Sequence, residues 1–236
     1  MSNSDQRDPY ILRLGGMRLF LRYMLLCLTA LLFLLPLYWL VSSSLKPEYQ
    51  IFAQPPVWWP VPPVWKNDND ALTELPFGLY TLNTLIIAVG AVIGHVLSCA
   101  LVAYAFARLR APGKDVLFVV LLATLMLPYP VVMIPQYSIF SEIGWVNSFK
   151  PLIVPTFLGN AFFIFLLRQF FLQIPIDLED AARIDGANLL QILWYVIFPI
   201  SRPAIATVAI FTFQFAWNDF LAPLIYLQDQ SKYTLM

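Results

Sequence analysis

Residues 75–107 contain no Asp, Glu, Lys or Arg. About 20 apolar residues, rising 1.5 Å each as a helix, cross the roughly 30 Å hydrocarbon core of a bilayer, so this run alone is enough for a crossing. Four more stretches of suitable length accompany it. They run from Leu19 to Val41, between Asp115 and Glu142, from Lys150 past Arg168 to about Ile174, and from Pro203 to about Leu227. Arg22 lies near enough to the end of the first stretch to snorkel to the headgroups. With 12% charged residues against 60% hydrophobic, the chain has too little charge to coat a water-facing surface. An ordinary soluble enzyme is thereby excluded, and an all-α polytopic membrane protein with five spans is expected.

The charges exclude more. Fourteen basic and fourteen acidic residues cancel, so no net field points to nucleic acid; lipid is the expected surrounding. With a single histidine, His95, no multi-histidine metal site can be built. Cys27 and Cys99 both sit inside apolar runs and read as small hydrophobes. The chain lacks a glycine-rich phosphate loop ending in Lys-Ser or Lys-Thr and the common hydrolase and metalloprotease motifs, so it is not expected to hydrolyse ATP itself.

Orientation follows from the basic residues, which gather on the cytoplasmic side. Arg7, Arg13, Arg18, Arg22, Arg108, Arg110, Lys114, Arg168, Arg183 and Arg202 fall on one side, and Lys46, Lys66, Lys150 and Lys232 on the other. The richer side is placed inside, giving a cytoplasmic tail at 1–18, a first span at 19–41 and an outer Pro/Trp-rich loop at 42–79. The remainder, 80–236, forms a core with a long inner loop at 175–202. In the outer loop, the prolines and tryptophans of residues 54–65 suit stiff chain at a membrane interface; a partner-binding role is the alternative. Leu189–Phe198 is apolar but too short to span, and is expected as an interfacial or partly buried helix.

The inner loop carries Ile174-Pro-Ile-Asp-Leu-Glu-Asp-Ala-Ala-Arg-Ile-Asp-Gly-Ala187. Pro175 should end the preceding helix. Asp177 is a suitable N-cap with Asp180 as its capping-box partner, and Gly186 suits a left-handed stop. The resulting helix of about eight residues places Leu178, Ala181, Ala182 and Asp185 along one face. It is either a docking element for a soluble partner or an ordinary loop helix packed on its own bundle.

Within the spans, Gln214 and Asn218 share a helical face and Asp219 is a costly intramembrane acid. These residues, with Asn83 in the second span, line a translocation path or else hydrogen-bond between helices. His95 reads as a packing residue. Pro128, Pro130 and Pro135 must kink or unwind the third span.

Glu179-Asp180-Ala181-Ala182-Arg183-Ile184-Asp185-Gly186-Ala187, followed by Ile197-Phe198-Pro199, resembles the EAA loop of permeases in binding-protein-dependent ABC importers. Further matches point to the carbohydrate-uptake branch, of the maltose-permease G-subunit type. They are Ser44-Leu-Lys-Pro47, Leu82-Asn-Thr84, Ala103-Tyr-Ala-Phe-Ala-Arg-Leu109, Pro112-Gly113, Arg202-Pro-Ala204 and Trp217-Asn-Asp219. The resemblance implies a type I importer transmembrane fold, in which five spans are present and the family's sixth is missing at the C-terminus. It implies a bacterial or archaeal plasma-membrane location with the N-terminus inside. It also implies a second permease subunit, two cytoplasmic ATPase subunits that hold ATP and Mg, and an extracytoplasmic substrate-binding protein. Glu179, Asp180, Ala181, Ala182, Asp185, Gly186 and Ala187 are then the ATPase-coupling residues, and the cargo a sugar or oligosaccharide. An ion-coupled secondary transporter or a membrane scaffold is the competing expectation. The former calls for several mid-membrane charges, where Asp219 stands almost alone.

Overall fold

The computed structural model describes the backbone from Pro9 to Met236 and side chains from Gly16 onward. Among these residues the regular structure is helical, with no strand. Part of the expected tail at 1–18 lies outside the described residues, and from Pro9 the chain is already helical. The chain divides into two compact units, Met1–Leu75 and Pro76–Met236.

The first unit is α1 (Pro9–Ser44) and the loop that follows it, including α2 (Lys66–Glu74). The described side chains of α1 before Trp39 are all exposed in the isolated chain, and an apolar helix in that state belongs in lipid. The Pro/Trp loop folds back on the helix end. Trp58 packs edge-on against Trp39 with centroids 5.4 Å apart, and its carbonyl accepts from Ser42 Oγ at 2.6 Å and Tyr38 Oη at 2.9 Å. Lys46 is fully buried, its Nζ 3.7 Å above the Trp39 ring, where the ring's negative face compensates for lost water. The Gln50 amide holds the carbonyl of Val61.

The second unit is organised around α3 (Phe77–Arg108). Its buried positions are mostly small, namely Ala88, Ala91, Cys99, Ala100 and Ala103. Small residues let neighbouring backbones approach closely, as membrane helices require in the absence of a hydrophobic drive between them. A Cβ on Gly94 would collide with the Thr156 side chain, and one on Gly90 would meet Ile153 at 3.0 Å. α4 (Lys114–Ala123) and α5 (Tyr129–Glu142) follow, then a turn-rich segment, Lys150–Leu158, that leads into α6 (Ala161–Gln173). Asn160 caps α6, accepting from the N–H groups of Phe162 and Phe163 at 3.0 and 3.3 Å. α7 (Asp177–Ile184) is the inner-loop helix. A helical stretch over Leu189–Ile200 contains one π-helical turn at Leu193–Ile197 and leads through Ser201 into α8 (Arg202–Trp217). The last α-helix described is α9 (Leu221–Tyr226), followed by a 3-10 turn at Gln230–Lys232. The core joins Cys99, Ala100 and Ala103 of α3 to Phe163, Leu167 and Phe171 of α6. Ile192, Leu193, Ile197, Ala204 and Val208 close it.

The five expected crossings need amendment in their geometry. Among the described residues, three helices are long and apolar enough to cross: Gly16–Ser44, Phe77–Arg108 and Lys150–Gln173. The other two are bent pairs. Lys114–Met126 meets Tyr129–Glu142 at 98°, and Leu189–Ile200 meets Arg202–Trp217 at 83°. The first bend sits where Pro128, lacking an N–H, cannot continue the ladder. In the second, the helical stretch Leu189–Ile200 turns sharply at Ser201 into α8. The fifth crossing is also shorter than expected as a helix, since α8 ends at Trp217.

Candidate functional site

The inner-loop helix begins at Asp177, two residues after Pro175. Its N-cap position is taken by Ile176, and no side chain caps it, so the expected capping role of Asp177 is corrected. The Glu179 and Asp180 N–H groups both find the Ile176 carbonyl, at 2.9 and 3.1 Å, and Asp177 is already the first helical residue. Asp180 does not complete a capping box either. It accepts from Arg183 Nη1 at 2.8 Å.

The stop is as the sequence implied. Gly186 has φ +84°, in the left-handed region that a β-carbon disfavours. The Gly186 N–H reaches the Arg183 carbonyl at 3.0 Å, and the Ala187 N–H reaches that of Ala182 at 2.9 Å, the paired closure of a Schellman motif. Asn188 and Gln191 then form a reciprocal capping box, which starts the next helix at once.

Glu179, one of the expected coupling residues, lies inside the protein. It is fully buried, with its Oε1 2.5 Å from Arg108 Nε at the end of α3. Its Oε2 accepts from Tyr104 Oη at 3.3 Å and lies 3.6 Å from Arg183. Arg108 also donates through Nη2 to the Ile174 carbonyl at 2.5 Å. Arg108 therefore holds the chain on both sides of Pro175. Glu179 is the inward anchor of α7. Ala182 and Ala187 are half-buried against the core. Leu178, Ala181, Asp180, Ile184 and Asp185 face outward, Ile184 with 87% of its surface exposed. Beside them, Ala182, Asp185, Gly186, Ala187, Gln191, Tyr195 and Val196 line an open depression of about 350 Å³. Nothing in the local sequence pairs Arg108 or Tyr104 with Glu179. The one available signal was that Arg108 is the base ending the long charge-free run.

The four path candidates are not brought together. Asn83 is buried and donates to the carbonyls of Ser231 and Tyr233 at 3.0 and 2.9 Å. With Thr84, whose Oγ1 accepts from the Leu235 N–H at 3.0 Å, it ties the C-terminal segment to α3. Gln214 and Asn218 are exposed, and Asn218 donates to the Gln214 carbonyl at 2.7 Å. Asn218 and Asp219 were expected inside a continuous helix, but they lie in the break between α8 and α9. There Asp219 Oδ1 accepts from the Ala222 N–H at 3.2 Å. His95 has the packing role expected of it, facing Thr212 Oγ1 at 3.2 Å and the edge of Phe163.

A bundle of apolar helices, two of them sharply bent, with a short inner helix clamped to the end of its central span, defines a membrane-embedded transport component. The chain belongs to the binding-protein-dependent transport system inner membrane component family, whose model matches residues 96–236. It is the membrane subunit of an ABC importer, whose ATPase activity resides in separate subunits. It is 32% identical over 225 residues to the sn-glycerol-3-phosphate transport system permease protein of Yersinia pestis, a match covering 93% of this chain and 79% of the relative. It is 34% identical over 215 residues to the diacetylchitobiose uptake system permease protein of Streptomyces coelicolor, covering 89% and 70%. Among solved structures, it matches a bacterial ABC transporter involved in the import of the acidic polysaccharide alginate. The TM-score is 0.80 and the identity 27%, over all of this chain and 80% of that one.

Proposed function

We propose that this importer subunit translocates a sugar or oligosaccharide, and that α7 is where a cytoplasmic ATPase subunit docks. The observation that carries the docking reading is the division of α7 into two faces. Glu179 fixes one face to α3 through a buried ion pair, while Leu178, Ala181, Ile184 and Asp185 stand free on the other. An eight-residue helix is too short to persist alone. Clamped at its base and small-faced outside, it can be pushed by a partner without unfolding, and Arg108 passes the displacement to the central span. ATP bound between two ATPase subunits biases the transporter only by favouring one of its conformations.

The same reading assigns a second permease subunit and an extracytoplasmic binding protein as partners, and places the N-terminus and α7 in the cytoplasm. The carbohydrate reading rests on the sequence resemblance together with the diacetylchitobiose and alginate systems among the similar proteins. The test is purification of the complex in mild detergent carrying Ala181→Trp or Ile184→Asp. Loss of the ATPase subunit from an otherwise intact membrane component supports docking on this face. Retention of the ATPase with normal coupled uptake in both variants refutes it.

A further inference from the structure

In the first unit, residues 49–65 contain no Asp, Glu, Lys or Arg. Pro55, Pro56, Pro60, Pro62 and Pro63 keep this run from being a continuous helix. Its aromatic side chains Tyr49, Phe52, Trp58, Trp59 and Trp65 are all exposed, Trp58 by 56% and Trp59 by 65%. Single apolar residues on a surface are ordinary, but a charge-free stretch with this many exposed rings marks a contact surface.

The loop is fixed in place against α1. The Trp58 carbonyl accepts from Ser42 Oγ and Tyr38 Oη, and the Trp58 ring meets the Trp39 ring. Gln50 and Val61 exchange two hydrogen bonds, the second from the Val61 N–H to Gln50 Oε1 at 3.3 Å. The Val64 N–H reaches the Leu45 carbonyl at 2.9 Å, and Asn67 Nδ2 donates to the carbonyls of Ser44 and Lys46 at 3.0 and 2.9 Å. Ser42 has a short side chain and stands in the last turn of α1, two residues before its end at Ser44. The Trp58 backbone therefore lies beside that last turn, and its ring reaches back along the helix to Trp39. The same end of α1 exposes Leu37, Leu40 and Val41, so the indole continues an apolar wall that belongs in lipid.

That continuity selects lipid as the occupant. The end of an apolar span is where tryptophan rings collect, the ring body in the apolar zone and the N–H among headgroups. Irregular chain near hydrocarbon is penalised for each N–H left without a partner, and five prolines within residues 54–65 have no N–H to satisfy. Charge is not what would hold a lipid here: residues 47–79 carry Glu48, Asp68, Asp70 and Glu74 against Lys66 alone. We propose that Trp58 and Trp59, carried on this stapled loop, anchor the end of α1 in the lipid headgroup region by apolar insertion. The anchor depends neither on the cargo nor on which end of α1 faces the cytoplasm.

The test uses the assembled transporter in phosphatidylcholine nanodiscs. With Cys27→Ala and Cys99→Ala in place, Trp59→Cys or Asp68→Cys carries an environment-sensitive fluorophore. Expected is blue-shifted emission at position 59 that is lost to a headgroup-nitroxide lipid and kept in aqueous iodide. Position 68, on the acidic helix α2, gives the reverse, and added substrate-binding protein changes neither. Iodide quenching at 59 equal to that at 68 overturns the anchor. So does a label at 59 that neither quencher reaches, which means that another subunit covers the loop. Loss of the lipid quenching when the binding protein is added overturns it too, and assigns the loop to that protein. A second measurement replaces the label with a conservative change. The part of the tryptophan emission that Trp59→Phe removes should be quenched by brominated phosphatidylcholine; if that part is untouched by bromine, the ring is not in lipid and the proposal fails.

Discussion

Arg108 and Glu179, 71 positions apart in the sequence (179 − 108), meet as an ion pair at 2.5 Å with almost no solvent reaching either side chain. The pair joins the inner-loop helix to the central span. Such a pair is weak evidence for net stability, because desolvation offsets the attraction, but removing one partner leaves an uncompensated buried charge. Its role here is geometric. It fixes which face of α7 turns inward and which remains free.

Replacing Arg108 by Ala therefore destabilises the membrane subunit by about 3–5 kcal/mol. The double variant Arg108→Met, Glu179→Leu recovers much of that loss, since neither charge is left alone. Thermal unfolding of the detergent-solubilised complex measures both, and a single variant as stable as the parent contradicts the buried-pair account.

Gly186→Val costs about 1–2 kcal/mol through the left-handed backbone alone. Nothing lies within 4 Å of where its β-carbon would sit, so there is no steric contribution. Gly186→Asn, which tolerates this conformation better, should retain most coupled uptake while Gly186→Val loses it. Equal behaviour of the two variants would show that the backbone conformation is not what matters.

Gly94→Ala should depress folding yield more than Gly78→Ala. A β-carbon at 94 collides with Thr156, whereas at 78 it meets nothing within 4 Å. Adding Thr156→Ala to Gly94→Ala removes the colliding hydroxyl and recovers part of the yield, read as monodisperse protein after size-exclusion chromatography.

Topology is checked in intact cells. In a chain freed of its two native thiols, Asn67→Cys reacts with an impermeant thiol reagent and Lys114→Cys does not. The opposite pattern reverses the orientation drawn from the basic residues.

Much of the fold was legible from local chemistry. The long uncharged runs marked the apolar helices, Pro128 marked the break, and Gly186 marked the stop of α7, because chain length, a missing N–H and a missing β-carbon act where they stand. Capping was less legible. Asp177 is a good N-cap by type, but the turn after Pro175 supplied the Ile176 carbonyl one residue earlier and left it no role.

What the sequence by itself determined was the membrane class, the helical segments and the position of the inner helix, all of which depend on hydrophobicity and on residues near one another in the chain. Only the tertiary structure decided which way each polar group faces. Glu179 and Asp180 are adjacent acids of similar chemistry; one is sealed against Arg108 and Tyr104 while the other stands in solvent. Asn83 and Asn218 are the same residue type within apolar runs, yet one is buried on the C-terminal segment and the other is exposed at a break. These assignments depend on partners many residues away along the chain, and the packing of α3 against the inner loop and against the C-terminal segment is what brings those partners into reach.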